Sequence, residues 1–169
     1  CDYCATQPAV TGHAAFRCAA PVMTGVTVPG AQAEYVVARA DSTVRLPQGL
    51  DLTLAAPVMC AGYTAWSALR VAAPRPGERV AVLGVGALGH LALQFAATTG
   101  HETVAVTRAS DKAERCHQLG AAEVVGDGAG LAACGGADVI VVACPSYAAA
   151  SDAMQGLRLG GRLVLAGID

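Results

Sequence analysis

Three glycines with the spacing of a nucleotide-binding turn lie in the middle of the chain. Gly84, Gly86 and Gly89 form the pattern G-x-G-x-x-G, with Ala87 and Leu88 between the last two. In such a turn the first glycine allows a tight bend, the second lets the backbone approach a pyrophosphate, and the third lets a helix pack on a strand. A helix that starts there offers free N–H groups to the anion. The pattern therefore predicts a dinucleotide site; a turn that binds nothing is the alternative.

Cysteines are the second group of residues whose chemistry matters, and the chain has seven of them. Cys1-x2-Cys4, with Cys18 as the next cysteine, offers soft thiolate ligands of the kind that structural zinc sites use in sets of four. A redox pair shares the C-x-x-C pattern but needs a helix start beside it, which the residues after Cys4 do not supply. Ordinary thiols are the other alternative. The later cysteines without metal-ligand spacing are expected to be structural: Cys116, Cys134 and Cys144.

The residues after the second predicted strand bear on the choice of nicotinamide cofactor. NAD-binding sites place Asp or Glu near position 107, where the carboxylate accepts a hydrogen bond from the ribose 2′-OH. This chain has Thr107 and Arg108 there, and a hydroxyl with a guanidinium fork suits a 2′-phosphate. Lys112, the only lysine of the chain, offers a third contact. The segment therefore predicts NADP, with Arg108 as an ordinary solvated charge as the alternative.

Short buried strands and helices are expected to position these residues. Apolar runs rich in Val predict parallel strands. The predicted strands cover 79–83, 102–106, 123–125, 138–143 and 161–166, and the predicted helices cover 90–98, 111–119 and 148–157. The crossover 126–137 is Gly-rich and close to the minimum of about a dozen residues, with room for one helical turn at 131–134. This alternation indicates an α/β fold with a doubly wound parallel Rossmann sheet.

The chain before residue 58 has a different texture. Residues 31–44 are expected to be extended, with the β-prone Tyr35-Val36-Val37 at their centre. A helix is predicted over 52–56 with Asp51 as its N-cap, and a second helix runs to Val71 after the interruption at Pro57.

Several segments along the chain combine into one pattern: Cys1-Asp-Tyr-Cys4, Gln32-Ala-Glu-Tyr-Val36, Ala55-Ala-Pro57, Cys60-Ala-Gly62 with Thr64, Gly84-Val-Gly-Ala-Leu-Gly-His90, Leu119-Gly-Ala121 and Gly160-Gly161-Arg162. This combination resembles the zinc-dependent medium-chain alcohol dehydrogenases, on the cinnamyl-alcohol and propanol-preferring side of that family. The resemblance implies the C-terminal part of a GroES-like β domain with a structural-zinc lobe at 1–57. It implies an NADP-binding Rossmann domain, truncated at its C-terminal end, at 58–169.

The resemblance also implies roles for individual residues. Cys60 would be the third protein ligand of a catalytic zinc, although by its apolar context alone it is more typical of a small core residue. Thr64, one helical turn further, would contact the nicotinamide. A structural zinc would be held by Cys1, Cys4 and Cys18, with a first ligand upstream and an insertion around 7–14. Strand ends that would line the cofactor lie at Ala143-Cys144 and at Gly167-Ile168.

Composition limits the classes of partner. Hydrophobic residues make up 54% and charged residues 14%, which is typical of a folded chain, and the net charge of −2 gives no indication of nucleic acid or an anionic membrane. By inspection no apolar run approaches the roughly 20 residues of a membrane span, and no signal peptide opens the chain. A cytoplasmic protein is therefore expected. The chain starts without Met and ends directly after a predicted strand, so we expect it to be part of a larger protein.

Together these observations predict a zinc-dependent oxidoreductase that transfers a hydride between NADP(H) and a primary alcohol or aldehyde. A homo-oligomer is expected by analogy with the family alone. One alternative is a zinc-free quinone or enoyl reductase of the same superfamily, against which the cysteines at 1, 4, 18 and 60 argue together. The other is a catalytically silent nucleotide-binding protein.

Overall fold

A computed structural model of the chain describes residues 24–38, 40 and 43–167. The predicted site residues Cys1, Cys4, Cys18 and Ile168 lie outside this part, so their roles stay predictions. The chain divides into two compact units, Cys1–Asp51 and Leu52–Asp169. Each unit is described by itself.

The described part of the first unit has little regular structure. Its recorded pairing is an isolated parallel bridge between Thr24 and Val28, across a turn in which Gly25 has a positive φ. The segment expected to be extended contains no strand within 31–38, and Tyr35 and Val37 are 89% and 98% exposed. A β-strand needs a partner for its N–H and C=O groups, and none pairs with this segment in the part described. The GroES-like character of the unit stays a prediction.

The second unit begins with a continuous helical stretch. Helix α1 covers Leu52–Pro57, a π-helical segment follows at Val58–Gly62, and helix α2 covers Tyr63–Ala72. Helix α2 ends at Ala73, which adopts the left-handed conformation with φ 44° and donates its N–H to the carbonyl of Leu69. The two predicted helices are therefore present. Pro57 joins them through a π-helical segment and does not separate them.

Five parallel strands form one sheet in the order β3-β2-β1-β4-β5. The strands are β1 Val80–Leu83, β2 Thr103–Val106, β3 Glu123–Val125, β4 Ala137–Val142 and β5 Leu157–Leu165. The helices between them are α3 Ala87–Thr98, α4 Ala113–Gln118, α5 Gly128–Ala133 and α6 Tyr147–Ala153, with 3₁₀ turns at Ser110–Lys112 and Met154–Gly156. The doubly wound α/β fold that the sequence predicts is confirmed.

Small and β-branched side chains build the core on both faces of the sheet. On one face Leu131 of α5 and Ala150 of α6 pack against Ile140 and its neighbours. On the other face α2, α3 and α4 cover the strands, and Leu93 is fully buried there. The central strands are buried on both sides, which is why they read as uninterrupted apolar runs. Cys116 is also fully buried, and this burial raises the pKa of its thiol.

The structure differs from the predicted element bounds in the last third of the unit. The predicted helix 148–157 ends earlier, because residues 154–156 form a 3₁₀ turn and Leu157 already belongs to β5. Strand β5 contains an irregularity: Leu157 pairs with Ala137, but Arg162 pairs with Val139. Gly160 accommodates it with a φ of 75°. The short crossover 126–137 holds a helix over Gly128–Ala133, capped by Asp127, and not one turn at 131–134.

The stretch Leu52–Ala72 is long and apolar enough to cross a membrane by length and composition. It has 21 residues and a mean hydropathy of 1.3 over an 18-residue window, of which 28% is buried. The expectation that no apolar run reaches this length is therefore wrong on these two criteria. They are weak evidence for a membrane, because a core helix passes the same test, and Ala65, Ala68 and Leu69 pack in the core of this unit.

Arg79 is a buried charge at the amino-terminal edge of the sheet, 4% exposed. Its guanidinium donates to the carbonyls of Cys134 and Gly136 and to the carboxylate of Glu123, and it lies 2.9 Å from Glu102. Burial lowers the pKa of Arg79, but the hydrogen bond to Glu123 and the two carboxylate charges raise it by more. These partners lie at the starts of β2 and β3 and just before β4. One side chain therefore ties three strand starts together.

Arg79→Met is expected to lower the free energy of unfolding by about 2–3 kcal/mol, because buried carbonyl acceptors lose their donor. The matched control is Arg158→Met, whose 41% exposed side chain also donates to a carbonyl and to Asp138. Removing this exposed pair should cost less than about 1 kcal/mol. Urea unfolding followed by circular dichroism measures both variants. Equal losses would show that Arg79 has no special role at this edge.

Candidate cofactor-binding site

A cleft of about 740 Å³ opens at the carboxyl ends of the strands. In the strand order of this sheet, β2 and β3 follow on one side of β1, and β4 and β5 follow on its other side. The direction in which successive strands are added therefore reverses at β1. Parallel α/β sheets bind ligands in the crevice outside the carboxyl ends at such a reversal point. The lining comes from the ends of four strands and from α6: Leu83, Gly84, Val106, Thr107, Arg108, Ala109, Gly126, Asp127, Cys144, Pro145, Ser146, Ala148, Ala149 and Asp152.

The three glycines of the motif differ in how closely other atoms pack against them. Gly84 has a φ of 88°, and a Cβ built on it would lie 2.7 Å from the Cβ of Cys144. A Cβ on Gly89 would lie 1.9 Å from the carbonyl oxygen of Gly84, so α3 packs directly on the turn after β1. A Cβ on Gly86 would meet nothing within 4 Å, although its φ of −95° suits any residue. Gly86 therefore borders open space, and neither the packing of the fold nor the backbone conformation requires a glycine there.

Helix α3 begins beside this open space. Gly86 is its N-cap, has no side-chain hydrogen bond to offer, and accepts from the N–H of His90 at 2.8 Å. The N–H groups of the first helical residues, Ala87 and Leu88, have no intrahelical acceptors by helix geometry. Such N–H groups, together with the dipole of a 12-residue helix, favour an anion. A cradle without a side chain in front of a helix N-terminus fits the pyrophosphate of a dinucleotide.

The wall at the end of β2 carries no carboxylate. Thr107 directly follows the strand, and its hydroxyl oxygen accepts from the N–H of Ala109 at 3.3 Å. Arg108 is exposed and lines the cleft. Lys112, predicted as a third phosphate contact, does not line the cleft and donates from Nζ to the carbonyl of Val85 at 3.3 Å. It therefore joins the turn after β2 to the glycine-rich turn.

The end of β4 lies against the same glycine turn. Ala143 donates its N–H to the carbonyl of Leu83, which aligns the ends of β1 and β4. The next residue, Cys144, lies between two glycines: Gly84 on one side and Gly167, whose Cβ would be 2.4 Å from the carbonyl oxygen of Cys144, on the other. Cys144 lines the cleft, whereas Ala143 and Gly167 border it through these contacts. Cys144 thus lies in the wall of the cleft, at the strand end that the resemblance places beside the cofactor, and its contacts with the two glycines fit the structural role that was also predicted.

Sequence reasoning missed two carboxylates in the cleft. Asp127 accepts at Oδ1 from the N–H of Gly130 at 2.7 Å and caps α5. Asp152 accepts from the N–H of Gly128 at 2.7 Å and from Gln155 at 2.7 Å. An acidic residue shortly after the third strand was the available signal for Asp127.

Cys60 and Thr64 lie away from the cleft lining, on the helical stretch before β1. Cys60 is exposed within the π-helical segment, and the Thr64 hydroxyl donates to its carbonyl at 3.0 Å. Single-turn π segments occur frequently at functional sites. Within residues 24–38, 40 and 43–167, no group of three His, Cys, Asp or Glu side chains could hold a metal. The described residues therefore supply one thiol but no complete zinc site.

Comparison with known proteins points to one family. Residues 87–169 match the model of the zinc-binding dehydrogenase family. An alcohol dehydrogenase of Geobacillus stearothermophilus is 40% identical over 174 aligned residues, which cover 99% of this chain and 50% of that protein. The match thus covers nearly the whole of this chain. The chain itself spans about half the length of the curated relatives that it matches in this way.

Solved structures show the same relationship. The CAD of Helicobacter pylori, solved in complex with NADP(H), is 28% identical with a TM-score of 0.65, over 71% of this chain and 34% of that one. The quinone oxidoreductase of Thermus thermophilus, solved alone and with NADPH, is 32% identical with a TM-score of 0.62, over 71% and 41%. With the fold, the glycine turn and these relatives together, residues 87–169 match the zinc-binding dehydrogenase family, and the chain is similar to part of the alcohol dehydrogenases.

Proposed function

We propose that this chain provides the cofactor-binding part of an NADP(H)-dependent zinc alcohol dehydrogenase, which interconverts primary alcohols and aldehydes. The observation that carries the proposal is the empty volume at Gly86, in front of the N-terminus of α3 and beside a cleft at the reversal point of the sheet. The alcohol dehydrogenase relatives support the reaction class.

The NADP preference rests on the residues at the end of β2. Thr107 and Arg108 line the cleft there, where an NAD site would carry an acid for the ribose 2′-OH. Arg108 is exposed and can swing its guanidinium onto a 2′-phosphate as a bidentate donor. The two carboxylates of the cleft lie after β3 and on α6, and neither is at the end of β2, where an NAD site carries its acid. We infer that they do not replace the missing acid.

Each described residue has a limited role in the proposed reaction. The nicotinamide, when bound, supplies the hydride chemistry. The first N–H groups of α3 hold the pyrophosphate, Gly86 keeps the space for it, and Thr107 and Arg108 hold the 2′-phosphate. Thr64 is proposed to orient the nicotinamide ring. Cys60 is proposed as one thiolate ligand of the catalytic zinc, and no step is derived through the metal because the described residues do not complete its site.

Two other functions remain in competition. The quinone oxidoreductase neighbour matches about as well as the CAD neighbour, so the fold alone does not separate zinc-dependent from zinc-free enzymes. Cys60 is the described residue that favours zinc. The other competitor is a nucleotide-binding protein without activity. A cytoplasmic location is proposed because the cysteines are not spaced like a secreted disulfide framework, and a homo-oligomer is proposed by family analogy alone.

The pyrophosphate cradle can be tested with a matched pair of glycine variants. Gly86→Ala should weaken NADPH binding on the order of tenfold and leave the melting temperature unchanged, because the added methyl fills only ligand space. Gly89→Ala should lower the melting temperature instead, since its Cβ would overlap the carbonyl of Gly84. Calorimetric titration and thermal unfolding give the two readouts. Unchanged NADPH affinity in Gly86→Ala would remove the cradle from the site.

Cofactor preference can be tested at the end of β2. Arg108→Ala should weaken NADPH binding roughly tenfold and leave NADH binding unchanged, because only NADPH carries the 2′-phosphate. Thr107→Asp should reverse the preference by accepting from the ribose 2′-OH and repelling the phosphate. Dissociation constants for both cofactors with each variant measure this. A parallel loss of both affinities in Arg108→Ala would contradict a phosphate role.

The zinc-dependent activity itself is tested by turnover. Aldehyde-dependent oxidation of NADPH and NADH by the protein, with and without a zinc chelator, should be faster with NADPH and sensitive to the chelator. Cys60→Ser should lose activity and bound zinc together, whereas the control Cys134→Ser keeps both. Chelator-resistant turnover would favour the zinc-free reductase. Cofactor binding without turnover across several aldehydes would favour the silent binding protein.

A further inference from the structure

The end of the cleft beyond β2 has no role in the function proposed so far. Gly126 and Asp127 line it after β3, together with Ala148, Ala149 and Asp152 of α6. In the strand order β3-β2-β1, a ligand that places its pyrophosphate on the helix after β1 and its ribose at the end of β2 continues toward the end of β3. The next part of the dinucleotide in that direction is the base.

Asp127 is the acceptor available to that base. Its Oδ1 is taken by the N–H of Gly130 at 2.7 Å, and its Oδ2 has no hydrogen-bond donor in the part of the chain that the structure describes. Asp152 differs, because each of its two oxygens accepts at 2.7 Å, from Gly128 and from Gln155. Of the two carboxylates in this cleft, only Asp127 therefore keeps a whole oxygen for a ligand.

The backbone holds Asp127 in place. Its bond to Gly130 caps α5, and a Cβ on Gly128 would lie 1.9 Å from the carbonyl oxygen of Asp152, so the start of α5 packs tightly on α6. Because the side chain already makes a hydrogen bond and its backbone is held by packing, it loses little conformational entropy when it binds a ligand. The geometry is that of a preorganised acceptor beside small apolar residues, which suit the face of a flat base.

We propose that Asp127 selects adenine: Oδ2 accepts a hydrogen bond from the exocyclic amino group of the cofactor's adenine. An ionised carboxylate is an acceptor only. Adenine presents an N6 donor, whereas hypoxanthine and guanine present the O6 acceptor at the same place and face the carboxylate unfavourably. The proposal rests on the proposed function, because it assumes that a dinucleotide occupies the cleft.

The test compares NADPH with its hypoxanthine analogue, in which a keto oxygen replaces the adenine amino group. The protein should bind NADPH roughly tenfold more tightly than the analogue by calorimetric titration. Asp127→Asn keeps Oδ1 as the cap for Gly130 and places the Nδ2 donors where Oδ2 stood, so its preference for the adenine amino group should fall to one or below. Asp127→Ser, which also caps a helix but is too short to reach the base, should lose the preference mainly through weaker NADPH binding.

Three outcomes are distinguishable. A strong preference in the unchanged protein that disappears in both variants, with melting temperatures unchanged, supports the assignment. Equal binding of both dinucleotides by the unchanged protein, or a preference that survives in Asp127→Asn, overturns it and leaves the proposed function standing. Failure of the unchanged protein to bind either dinucleotide overturns the proposed function and the adenine assignment with it.

Discussion

The close approach of helix α3 to the turn after β1 is the constraint on which the site depends. A Cβ at Gly89 would overlap the carbonyl of Gly84, and a Cβ at Gly84 would overlap Cys144. Two close contacts, one to the backbone of Gly84 and one to the Cβ of Cys144, therefore bring the start of α3, the end of β1 and the end of β4 together. Of the three glycines in the motif, only Gly86 is not required by packing. The open space beside Gly86 is the observation on which the proposed pyrophosphate site rests.

The amino-terminal and carboxyl-terminal edges of the sheet have different roles. At the amino-terminal edge the buried Arg79 side chain joins the starts of three strands through hydrogen bonds and ion pairs. At the carboxyl edge the strand ends carry small residues and short turns, which leave room for a cleft. Stability and ligand binding are thereby separated along the strands, as is general for parallel α/β sheets, whose ligands bind at the carboxyl ends. Changes at one edge need not disturb the other.

The proposed zinc site differs from the cofactor cleft, because its ligands come from several separate segments of the chain. Cys60 is the one predicted zinc ligand among the described residues, and no set of three ligands surrounds it there. The chain also covers about half of its alcohol dehydrogenase relatives. The π-helical segment that presents Cys60 is the local feature that the fold contributes. The cofactor cleft, by contrast, is built by the second unit alone.

The amino-acid sequence by itself determined the fold class, the order of strands and helices after residue 79 and the glycine turn, because these follow from local periodicity and short spacing. The roles of Cys1, Cys4, Cys18 and Ile168 stay predictions. Only the tertiary structure decided that Lys112 binds the carbonyl of Val85, that Cys144 lies between two glycines, and that Asp127 keeps an acceptor in the cleft. These are contacts between residues distant in sequence, and their partners depend on how the helices pack across the sheet, which no local pattern encodes.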